Sequence, residues 1–176
     1  MDKILEKFIE EPEREFHVRE VARAVKVSPA TASQYLKKLA KAGLLTSKLE
    51  RNHRLYRANA ESSNYRDTKI HYNISRIKGS GLVDYLKIEL NHPKAIILFG
   101  SFRKGDNVPE SDIDIFVVAA VKKKLNLSGF EKKLGHPIQL FVYSQSELEK
   151  MKLKNRELLN NIVNGIVLEG FFEVFK

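Results

Sequence analysis

The apolar positions in the first sixty residues recur at helical spacing. Ile4, Leu5, Phe8 and Ile9 fall on one face of a helix predicted over Asp2–Glu11, which Pro12 ends. Phe16 and Val18 read as a short extended piece or a helix lead-in. Val18–Val25 predicts a second short helix with Val21, Ala22 and Val25 inward. Ser28 then suits an N-cap and Pro29 the first turn of a third helix, which runs to about Ala42. Its inner face carries Ala32, Tyr35, Leu36 and Leu39, and its outer face Thr31, Ser33, Gln34, Lys37, Lys38 and Lys41. Gly43 is the C-terminal stop. Leu44–Leu49 and Arg54–Arg57 read as two short strands around the polar turn Glu50–His53.

The polar stretch NAESS at 59–63 and the pair His92-Pro93 divide the chain into segments 1–60, 61–92 and 93–176. The middle segment is a helical connector. One helix is marked by Tyr65, Thr68, Ile70, Tyr72, Ile74 and Ile77, and a second, after Ser80-Gly81, by Leu82, Val83, Leu86, Ile88 and Leu90. In the third segment the unbroken apolar run Ala95–Phe99 predicts a buried strand, Ile115–Val118 a second and Pro137–Tyr143 a third. Ser144 begins a helix, with Glu147 placed for a capping box. Leu158, Leu159, Ile162 and Val163 face inward on the last long helix, and Ile166–Leu168 add an edge strand. The fold class is therefore α+β.

Composition narrows the function classes. With 43% hydrophobic and 30% charged residues in 176, the chain can bury a core as one large domain or two small ones. The absence of cysteine excludes disulfides and thiolate metal sites. No apolar run reaches the roughly 18 residues of a membrane span, and the start MDKILEKFIEEPERE is too charged for a signal peptide. A soluble, cytoplasmic protein is expected. The formal net charge of +9 is concentrated: Arg14 to Arg57 holds eleven Lys/Arg against three acids, a surplus of eight. Such a segment favours polyanionic partners.

The order helix, short helix, tight turn, capped helix and hairpin, carried by VREVARAVKVSPATASQYLKKLAKAGLL, resembles a winged helix-turn-helix of the bacterial and archaeal repressor type. The resemblance implies double-stranded DNA as partner, with the third helix in the major groove and the hairpin wing on the backbone or minor groove. Ser28, Thr31, Ser33 and Gln34 are the candidates for base edges, because their side chains hydrogen-bond without a fixed charge. Lys37, Lys38, Arg51, His53 and Arg54 are the candidates for phosphates. A solvated face on a winged helix that contacts only protein is the plainer alternative. Repressors of this type commonly dimerise. A homodimer through the connector and a connector that packs within its own chain are both open.

The stretch ILFGSFRKGDNVPESDIDIFVV resembles the nucleotidyltransferase signature of the polymerase-β superfamily, and within it the minimal, MNT-type members. The signature is a strand, Gly-Ser, about ten residues, then Asp-x-Asp on the next strand. It implies a mixed β-sheet flanked by helices and an NTP as substrate. Gly100, Ser101, Arg103 and Lys104 would hold the triphosphate: glycine for close backbone approach, serine as a donor, the cations for charge. Strand periodicity puts Asp112 and Asp114 on one face, with Ile113 and Ile115 toward the core. Two adjacent carboxylates repel unless a cation lies between them, and Mg²⁺ is hard, oxygen-seeking and accepts phosphate as co-ligand. Asp112 and Asp114 are thus the catalytic and metal candidates. Asp106, Glu110, Lys122–Lys124 and Lys132-Lys133 read as solvated, and His136 as structural.

The sequence departs from that family at one point. The third carboxylate expected on a later strand falls at Gln139, a neutral amide that cannot take a proton, and no acid lies from Gly135 to Gln145. Slow catalysis from two carboxylates, nucleotide sensing without turnover and a vestigial fold all fit. The leading expectation is Mg²⁺-dependent NMP transfer from an NTP, ATP among the choices. In relatives the acceptor is a nucleic acid, a small molecule or a protein hydroxyl, and the minimal type often acts with a partner protein. The alternative is a transcription regulator whose second module binds nucleotide or is inactive.

Overall fold

The computed structural model describes residues 3–173 of the chain. Its contacts group into two compact units that divide after Lys69.

The first unit opens with α1 (Lys3–Glu10), which buries Ile4, Leu5, Phe8 and Ile9. Asp2, where the sequence starts this helix, lies outside the described residues. β1 (Phe16–His17) settles the ambiguity at Phe16, and α2 (Val18–Val25) follows it directly. Lys26 closes α2 in the left-handed region, at φ 59°. α3 (Pro29–Lys41) starts at Ser28, whose hydroxyl accepts from Thr31 N at 3.0 Å. A cap of this kind is worth about 1 kcal/mol. Val21, Ala22, Ala32, Leu36 and Leu39 are buried, whereas Val25 and Tyr35, expected inward, are only half-buried.

β2 (Leu45–Glu50) and β3 (His53–Ala58) form a hairpin, and β1 pairs with the far edge of β3, giving the order β1-β3-β2. The hairpin is longer than its hydrophobic pattern suggests. Glu50 pairs with His53, so the turn is only Arg51-Asn52, at φ 46° and 64°. A two-residue hairpin turn with both central φ positive matches the right-handed strand twist, which is why the strands run to the turn's edge.

α4 (Ser63–Ser80) spans the division between the units. Its buried residues are Tyr65, Lys69, Tyr72, Asn73, Ile77 and Ser80. Ile70 and Ile74, taken as core markers in the sequence, are half-buried, because the inner stripe includes polar positions that a hydrophobic pattern passes over.

In the second unit come α5 (Leu82–Glu89), β4 (Ala95–Phe99), α6 (Gly100–Lys104), β5 (Ile113–Val118), α7 (Ser128–Leu134), β6 (Ile138–Tyr143), α8 (Gln145–Lys154), α9 (Arg156–Val163) and β7 (Ile166–Gly170). The four strands form a mixed sheet in the order β6-β5-β4-β7, with only β5 and β6 parallel. Both faces are covered. Ile96, Leu98, Ile113, Ile115, Val117 and Ile138 pack with Ile77, Leu82, Leu86, Leu90, Phe102 and Leu134. Ala95, Ile97, Phe99, Phe116 and Val118 pack with Leu148, Met151, Leu159 and Ile162. Sheets covered on both faces carry continuous apolar strands, as β4 does.

Two details differ from the sequence pattern. The last long helix breaks at Asn155, whose side chain accepts from Leu158 N at 3.1 Å and so starts α9 afresh, leaving Val163 50% exposed. Ile88 on α5 is 74% exposed. The capping box at Ser144 and Glu147 is complete. The Lys122 ammonium and the Ser144 groups hold the Glu147 carboxyl down to about 2.

Replacing Arg51-Asn52 by Asn-Gly, the pair that enters this turn with least strain, should stabilise the first unit by about 1 kcal/mol. An unmoved urea midpoint for Arg51→Asn with Asn52→Gly would show that the turn carries no strain.

Candidate functional site

The chemistry of the second unit gathers where β4 ends. Phe99 pairs across the sheet with Asp114, so the Gly-Ser turn and the Asp-x-Asp strand meet. Gly100 has φ +68°, and a Cβ built on it would collide with Asp114 Oδ2. The sequence reserves that glycine for close approach of a phosphate. In the structure the space left by its missing side chain is held by the Asp114 carboxylate.

Strand alternation sorts the rest. Ile113 and Ile115 enter one core and Phe116 and Val118 the other, so Asp112 and Asp114 share the face of Phe116, just beyond its apolar end. Asp114 is half-buried, and its carboxyl sits above the ordinary range, first because burial strips its solvent and then because Asp112 is beside it. Gln139 stands in register with Asp114 on β6, and its Nε2 donates a hydrogen bond to Asp112 Oδ2.

α6 carries the remaining candidates. Ser101 is half-buried, Phe102 drives into the core, and Lys104 is exposed. Arg103 is half-buried, and its Nε is buried with no hydrogen-bond partner. A buried donor left open is a place where an anion or water belongs.

The loop from Gly105 to Asp112 is fixed by residues the sequence reading did not single out for a site. Asn73 Nδ2 donates to Phe102 O and to Asn107 Oδ1, both at 2.9 Å, with Asn73 and Asn107 only 3% and 7% exposed. Ser111 Oγ accepts from Val108 N at 2.9 Å. His136 Nδ1 meets Ser111 O at 2.9 Å while its ring sits edge-on to Phe102. That places His136 as a structural support behind the carboxylates. An asparagine inside an otherwise inward-facing helical stripe is the one signal that points to Asn73. Asp106 and Glu110 are exposed.

The donor set suits a hard divalent cation. Asp112 and Asp114 would supply two anionic oxygen ligands, and burial and the Asp112 charge both raise the Asp114 carboxyl. Among the described residues no group of three or more His, Cys, Asp or Glu forms a complete protein cage. A cation that keeps waters and takes phosphate oxygens needs only one or two carboxylates.

In the first unit, Thr31, Gln34, Lys37, Lys38, Arg51, His53 and Arg54 are exposed and Ser33 is half-buried. Ser28 and Thr31 are already engaged: their hydroxyls lie 2.8 Å apart, and Ser28 caps α3. Gln34 is the amide on this face that stays free for a base edge. The acids of the basic segment are spent elsewhere, Glu20 on Arg14, and Glu15 and Glu50 on Lys48. Among the described residues Lys37, Lys38 and Lys41 on α3 and Arg51 and Arg54 at the wing tip form no ion pair. A groove of about 540 Å³ joins His17, Val18, Arg19 and Pro29 to Asn52, His53 and Arg54. His17, Arg19 and Asn52 were not singled out by the sequence, because they lie apart from α3 along the chain. No described helix is long and apolar enough to cross a membrane.

Residues 80–167 match the family model for a nucleotidyltransferase domain, and residues 3–47 match that for a bacterial regulatory protein of the arsR family. No curated protein matches the chain. The crystal structure of Sso10a-2, a DNA-binding protein from Sulfolobus solfataricus, aligns at 18% identity and a TM-score of 0.36, covering 50% of this chain and 93% of that one. A likeness that weak bears on neither fold nor function.

Because Asp114 is ionised against burial and a like charge, Asp114→Asn should raise the thermal midpoint of the metal-free protein at neutral pH by about 2 °C. A raised carboxyl disfavours the folded state above its folded pKa and is relieved as pH falls through it. The gap between wild type and variant should therefore close on acidification. A variant that melts lower at neutral pH would contradict this electrostatic account.

Proposed function

The chain belongs to the nucleotidyltransferase domain family, and from that premise we propose that its second unit transfers a nucleoside monophosphate from a Mg²⁺-bound NTP to an acceptor while its first unit holds double-stranded DNA. One observation carries the first half: the Asp114 carboxylate is seated on Gly100 with Asp112 on the same face, so acids and phosphate-side turn form one site. Asp112 and Asp114 would hold the Mg²⁺, which would supply positive charge at the α-phosphate and at the leaving pyrophosphate. Ser101 donates its hydroxyl to the triphosphate. Arg103, half-buried on the same short helix with its Nε donor open, would add a charged donor to those phosphates. Lys104 adds an exposed charge. Asn73 and Asn107 hold α6 and its loop at fixed height, which keeps these groups in register. Gln139 cannot accept a proton, so no proton leaves the acceptor through β6.

For the first unit, the unpaired cations of α3 and the wing support the DNA reading. Gln34 and Ser33 face base edges. Lys37, Lys38, Arg51, His53 and Arg54 meet phosphates, with His17 and Arg19 lining the adjoining groove.

Incubation with Mg²⁺ and α-labelled NTPs should label an acceptor and release pyrophosphate. Asp112→Asn should cut this by at least about a hundredfold, since even outer-sphere partners of a metal are worth about 10–100-fold. Nucleotide binding with neither label nor pyrophosphate would leave a nucleotide-responsive regulator instead.

Lys37→Ala with Lys38→Ala should weaken DNA binding and flatten the slope of log K against log salt by about 1.8, two phosphate contacts at ~0.9 each. Unchanged affinity would make the winged helix a protein-contact module.

A further inference from the structure

We propose that Gln139 restricts the carboxylate site to a single divalent cation by engaging Asp112. The inference rests on the nucleotidyl-transfer reading and adds what governs its metal count. Gln139 reaches the site because β6 runs parallel to β5 with Asp114 and Gln139 in register. On the face they share, the next position back along β5 is Asp112, and the Gln139 amide donates to its Oδ2. A carboxylate shares its lone pairs between two oxygens. With one oxygen turned to the amide, Asp112 presents mainly the other to a metal.

Charge leads to the same limit. Asp112 and Asp114 together carry two negative charges, the complement of one divalent ion. A second ion would have to share the same two carboxylates, because among the described residues no third acid or imidazole joins the pair. Glu110 and Asp106, the acids nearest along the chain, are exposed, and Glu131 Oε1 accepts from Ile138 N at 3.1 Å. His136 is bound to Ser111 O and packed on Phe102. Gln139 is exposed, and its amide covers the Oδ2 side of Asp112 from the solvent edge of the sheet. It satisfies Asp112 as a neutral donor, and so holds the acid pair ready for one ion without supplying the charge for two.

The test counts metal. Full-length protein saturated with a non-hydrolysable α,β-imido NTP is titrated with Mn²⁺, and bound Mn²⁺ is read from the loss of the free-ion electron paramagnetic resonance signal. Wild type should hold one Mn²⁺ per bound nucleotide, and Gln139→Asp and Gln139→Glu two. Folding of each variant is checked by circular dichroism. Two Mn²⁺ in wild type overturns the proposal, and needs no variant to do so. One Mn²⁺ in both folded variants also overturns it, because another feature then sets the count. No nucleotide and no Mn²⁺ in wild type is a different failure, which removes the transfer reading and this inference with it.

Discussion

The second unit is organised around one close approach, the Asp114 carboxylate lying on Gly100. Every other feature of the site follows from making that approach possible. Only a residue without a Cβ leaves the space, and only a residue at ease with positive φ turns the chain there. The antiparallel register brings Phe99 opposite Asp114, and β5, buried on both faces, cannot slip to relieve the crowding. The fold thus places an anion where burial and a second anion both oppose it. Such an arrangement costs stability in the free protein and is made good when a cation binds, the usual relation between a strained site and its ligand. Glu147 is the opposite case: a half-buried acid held low by Lys122 and its own helix cap, whose contribution is present at neutral pH and lost as pH falls toward about 2. One carboxylate serves the scaffold and the other works against it.

The loop between α6 and β5 shows how that placement is kept. A helix of five residues has little stability of its own. Phe102 ties it down through the core, Asn73 through its carbonyl, and Ser111 with His136 at the far end. Removing Asn73 would take the donor from the Phe102 carbonyl and from the Asn107 amide oxygen, and a buried polar group left unmet costs about 1–3 kcal/mol. The polar groups inside this unit therefore serve to fix a backbone that has no regular ladder of its own.

Much of this was legible in the sequence. The helices of the first unit follow from their spacing and the strand Ala95–Phe99 from its unbroken apolar run, since such patterns are local properties, whereas the weight on Asp-x-Asp and on the amide at position 139 came from the family resemblance. What was not legible depends on pairs distant along the chain. Asn73 looks like an ordinary polar residue until Asn107 is seen opposite it, 34 positions later. Arg51-Asn52 looks like part of a wider loop because neither residue is glycine, yet the strand twist imposes positive φ on both. The break at Asn155 was hidden by continuous helical propensity and needed the capping bond to Leu158 N to reveal it. α7 went unread because its seven residues offer too short a periodic window.

The two units meet polyanions by opposite electrostatic means. In the first, the three acids between Arg14 and Arg57 pair with Arg14 and Lys48, and the lysines and arginines on α3 and the wing tip face solvent. Binding there would rest on the protein's own cations and on released counterions, and so be graded with salt. In the second, the protein would offer negative charge to a negatively charged substrate and leave the reversal of sign to a metal. That binding would be conditional on the ion, and a neutral glutamine beside the acids would make the condition stricter, because it adds a hydrogen bond to Asp112 without adding charge. On the proposed function a surface that responds to ionic strength and a site that responds to a divalent cation would thus be joined in one chain, each with its sign of charge fixed by a handful of residues.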